Sequence, residues 1–134
     1  MMAPMEKQVC SLEHSQKLEK LGVKQNSLFY WRKYQFCKNT DLYYIPSKEM
    51  DLMVLSGKLE YSLSAFTVAE LGEMLPSGYH SWIGNMENEK GEWICVEFSE
   101  PEFEFGDNCQ QANTEANVRA KMLIYLIENK LIEL

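Results

Sequence analysis

Six consecutive apolar residues, Met122 to Ile127 (MLIYLI), sit inside a segment, EANVRAKMLIYLIEN, that is otherwise marked for a helix. Thr114 supplies a hydroxyl cap before it, and Glu115 puts an acid in the first turn, where the helix dipole favours one. Successive helical residues point roughly 100° apart, so six apolar residues in a row cover the whole circumference. Ala116, Ala120, Leu123 and Ile127 form one stripe; Val118, Met122, Tyr125 and Leu126 form another. A helix of this kind is stable in water only when covered on most sides. It lies either across a sheet or in a subunit interface, for which Met122, Tyr125 and Leu126 are the candidate contacts. The closing KLIEL is expected to pack down as a short tail.

The rest of the chain alternates helix and strand signals. Ser11 can cap a helix over residues 12–21, which Gly22 would stop. LFYWRKYQF has the aromatic content and punctuation of a strand, CKNTD reads as a turn, and LYYIP reads as a short partner ended by Pro46. Residues 47–60 fit either a short helix capped by Ser47 or a loop. AFTVAELGEMLP is the cleanest local signal. Thr67 and Glu70 have the spacing of a capping box, Phe66 and Leu71 that of a hydrophobic staple, and Pro76 ends a helix of about two turns. GYHSWIGN and EWICVEFS flank the polar MENEKG and predict a hairpin, with EPEFEF continuing in alternation and Pro101 marking an edge or bulge. GDNCQQAN reads as a loop.

These elements predict an α+β fold: a small antiparallel sheet with helices packed on one face and a buried C-terminal helix. Residues 1–10 are expected to be a flexible leader and 11–134 a single domain, which suits a chain of 134 residues with 46% hydrophobic content.

Charge is unevenly spread along a chain of formal charge −7. Residues 1–40 hold seven Lys or Arg against three acids; residues 41–113 hold three Lys against fourteen acids. The acidic middle argues against a broad phosphate-binding surface, because like charges repel. Gathered on one surface, the same acids would instead mimic nucleic acid. No apolar run is long enough to span a membrane, and MMAPMEKQVC lacks the apolar region of a secretory signal. A cytoplasmic setting is expected.

Chemistry-bearing patterns are sparse. The sequence contains no phosphate-binding glycine loop, nucleophile elbow or HExxH zinc motif. Cys10, Cys37, Cys95 and Cys109 have no close pair, so free thiols are expected rather than a zinc site. The two histidines would have to carry any His-dependent catalysis. His14 is expected on a solvated helix face, and His80 in a cross-strand contact with a carboxylate. Glu97, Glu100, Glu102 and Glu104 alternate with apolar residues and read as the wet side of a half-buried strand. No metal, cofactor or catalytic residue is assigned.

Two resemblances bear on function. SQKLEKLGVKQNSLFYW resembles the helix-turn-helix start of mercury-resistance-type regulators: Gly22-Val23 match its turn and Ser27-Leu28-Phe29-Tyr30 the opening of its second helix. That likeness implies DNA contacts from Lys24, Arg32 and Lys33. Against it, Leu18 is bulky where that pattern has Ala, no basic wing follows, and Leu28 to Trp31 would be apolar around a whole turn. A helix running into a strand is the better reading of residues 11–34. In addition, LEKLGVKQNSLFYW, AFTVAELGEMLP and TEANVRAKMLIYLIEN, in this order, resemble small uncharacterised proteins of bacteriophage and prophage gene sets. The likeness covers most of residues 11–134 apart from 37–63. It implies a phage-linked role in a bacterial cytoplasm and no particular activity. Such relatives would place Gly after the last helix; here Asn129 is expected to take the left-handed position. Together these features predict a non-enzymatic accessory protein that binds another protein, a homodimer being one form of this, with nucleic-acid binding the alternative.

Overall fold

A computed structural model describes residues 5–44, 57–83, 93–97 and 109–133. A 3-10 turn, Met5–Lys7, leads into α1 (Leu12–Lys20), then β1 (Phe29–Tyr34), β2 (Asp41–Tyr44) and β3 (Leu59–Ser64). Helix α2 (Val68–Met74), strands β4 (Tyr79–Ile83), β5 (Trp93–Glu97) and β6 (Gln110–Ala112), and helix α3 (Glu115–Glu128) complete the order. The fold is α+β as expected, with the described strands divided between two three-stranded antiparallel sheets, ordered β2-β1-β3 and β4-β5-β6.

Local chemistry explains where the elements begin and end. Ser11 Oγ accepts the His14 N–H at the start of α1. Thr67 and Glu70 form both halves of the capping box of α2. Phe66 and Leu71, the expected staple, are buried in one cluster. Strand β1 lies between β2 and β3, with Trp31 opposite Leu42 on one side and Leu63 on the other. The register shifts between Lys33 and Tyr34, a bulge that lets Tyr34 turn into the interior.

Helix α3 is the centre of the molecule. It packs on α1, α2, β4, β5 and β6. Ala116, Val118, Ala120, Met122, Leu123, Ile124 and Leu126 are all buried, an arc of roughly two thirds of the helix circumference. Of the two placements that the apolar run leaves open, the structure takes the one inside the chain: α3 lies against the second sheet and both other described helices.

Three expectations change. Val9 and Cys10, expected in a flexible leader, are packed: Val9 pairs with Thr67 in a β-bridge, the Cys10 N–H bonds Phe66 O at 2.9 Å, and the two are 1% and 0% exposed. The apolar pair Val9-Cys10 is drawn in because it covers the start of α2 and the end of β3. Gln110–Ala112, expected within a loop, form β6 because their backbone completes the outer side of β5. And β3 takes up part of residues 47–60; LEYSLS alternates apolar and polar residues with period two, a signal too short to stand out beside the cleaner ones. The proposed helix near Ser47, the MENEKG loop and the EPEFEF continuation lie outside the described residues.

Candidate functional surface

The structure does not bring the candidate DNA contacts together. Residues 23–28 form no second helix, and β1 begins at Phe29, so the strand reading holds. Arg32 and Lys33 are consecutive in β1 and leave the sheet on opposite faces. Arg32 Nε donates to Ser62 Oγ at 3.0 Å, and its guanidinium lies 5.1 Å from the Tyr30 ring centroid. Lys33 pairs with Glu60 at 2.8 Å. Lys24 is exposed in the segment after α1, beside Glu70 and Glu73. The candidate interface residues are placed differently from expectation too. Met122 and Leu126 are 0% and 1% exposed inside the chain's own core, and Tyr125 is half-buried.

Two polar clusters sit at the start of α3. Glu115 and Arg119 fall within the otherwise apolar buried arc and are matched there. Ser81 Oγ donates to Glu115 Oε2 at 2.7 Å, and Arg119 Nε donates to Ser81 Oγ at 2.9 Å. Arg119 Nη1 donates to Val68 O at 3.0 Å, while Nη2 lies 3.6 Å from Glu115 Oε2. Gly72 leaves the room: a Cβ there would collide with the Arg119 guanidinium. This arrangement pins α2, β4 and α3 together and accounts for the donors that face inward.

The second cluster joins α1 to α3. Asn117 Oδ1 accepts the Ser11 N–H at 2.7 Å, which fixes it as the oxygen of that amide. His14 Nδ1 lies 3.1 Å from the same oxygen and 2.8 Å from Ser11 Oγ. Nδ1 therefore carries the proton and donates, leaving Nε2 as the basic nitrogen. Ser11 faces the protonated side of the ring, so this pair is not arranged as nucleophile and base. Contrary to the solvated position expected, His14 is half-buried, and burial lowers its pKa below the usual 6.5, with Lys121 and Lys17 adding to the effect. His80 is exposed on β4 opposite Val96.

The cysteines are free thiols. Burial pushes Cys95 up to about 11 and raises Cys10 and Cys109 as well. At neutral pH these three are thiols and weak nucleophiles. Among the described residues no group of three or more His, Cys, Asp or Glu is placed to hold a metal ion. No described helix is long and apolar enough to cross a membrane. Most of the acids of residues 41–113, Glu100, Glu102 and Glu104 among them, lie outside the described residues.

The feature that sequence reasoning missed is on the first sheet. Phe29 of β1 and Tyr44 of β2 are paired in register, their ring centroids 5.0 Å apart and tilted by 32°. With Leu42 they share one face of the sheet. Met5, from the 3-10 turn, meets them, and Glu6 and Asp41 stand beside them. The six residues line an open groove of about 350 Å³. Met5 and Tyr44 are 44% and 46% exposed. Aromatic content marks β1 and β2 as strands, but it does not show which of their faces the core covers.

No family model, curated protein or solved structure matches the chain.

Proposed function

We propose that the protein is a phage-linked accessory protein that acts by binding another protein, without catalysis, in a bacterial cytoplasm. The observation that carries this is the groove of Met5, Phe29, Leu42 and Tyr44, where Met5 and Tyr44 are exposed apolar or aromatic side chains beside the half-buried Phe29 and Leu42. Clustered apolar side chains at the surface are the usual mark of a docking site. The non-enzymatic part is supported by the two polar clusters, in which Ser81, Glu115 and Arg119 bond one another and Ser11 faces the protonated nitrogen of His14. The phage-linked part is supported by the three resembling stretches. On this reading the docking surface is the groove of the first sheet, since Met122 and Leu126 are buried in the core.

The test is capture from bacterial lysate with tagged protein, with and without nuclease, beside a Tyr44→Lys variant. A protein captured in both conditions by the parent and lost by the variant is expected. Equal capture by the variant would remove the groove from the mechanism, and capture that disappears with nuclease would turn attention to nucleic acid.

A further inference from the structure

We draw no further inference here: the strongest candidate, the open groove that Met5, Phe29, Leu42 and Tyr44 line on the first sheet, belongs to the docking surface already proposed, and nothing in the structure shows what covers this apolar face.

Discussion

Helix α1 opens at Ser11 and helix α3 at Thr114, and each hydroxyl accepts the backbone N–H three residues on, at 3.3 and 3.1 Å. Their far ends also match. Gly22 N–H bonds Glu19 O at 3.0 Å and Val23 N–H bonds Leu18 O at 3.0 Å; Lys130 N–H bonds Ile127 O at 3.1 Å and Leu131 N–H bonds Leu126 O at 2.8 Å. Both are Schellman closures with a left-handed residue after the cap, φ 92° at Gly22 and 57° at Lys130. Between these ends the helices differ. Helix α1 buries Ser15 and Leu18, whereas α3 buries seven residues. The comparison separates two sources of helix stability. The ends are closed by neighbours within a few residues, and the middle is held by whatever the rest of the chain packs against it.

The largest effect should come from the middle of α3. Leu123→Ala removes a fully buried side chain and should cost roughly 3 kcal/mol in urea unfolding, whereas Gln16→Ala on the exposed face of α1 should stay within about 0.5 kcal/mol. Similar losses for the two would erase the contrast. At the ends, Gly22→Ala forces a Cβ into the left-handed region and should cost about 1 kcal/mol. Lys130→Gly is the reverse experiment and should add roughly 0.5 kcal/mol. A Lys130→Gly protein that melts below the parent would mean that Lys130 makes a compensating contact. The smallest effect concerns the joint between the two helix starts. Because burial favours neutral His14 in the folded chain, the unfolded chain takes up the proton first as pH falls below about 6.5. Stability should decline from there until the folded imidazole is protonated as well, and His14→Gln should flatten that part of the profile. A profile unchanged by His14→Gln would place the pH response elsewhere.

Much of the fold was legible along the chain because its signals are local. The Thr67–Glu70 capping box, Ser11, Thr114 and Gly22 each act within a few residues, so sequence spacing contains the whole geometry. The α3 terminus shows where that fails. Asn129 was the better left-handed residue by type, yet it caps at φ −94° and Lys130 takes the turn. The helix runs one residue further because its buried face extends to Leu126 and Ile127, which fixes the last turn. Leu131 at the second position past the cap stays exposed, where Val23 in the same place on α1 enters the core.

By itself the sequence determined that α3 would be a helix, that it would be covered on most sides, and that β1, β2, β4 and β5 would be strands. Hydrophobic period and caps decide these things, and both are properties of neighbouring residues. Tertiary structure decided what covered α3, and so moved the candidate contact surface away from Met122 and Leu126. It also decided that Asn117 would meet Ser11 and His14 from more than 100 residues away, and that Met5 would line one groove with Phe29 and Tyr44. Such pairings depend on which sheet face the core claims first, and no local pattern in a strand distinguishes its two faces when both carry aromatic residues, as Tyr30 and Trp31 do here.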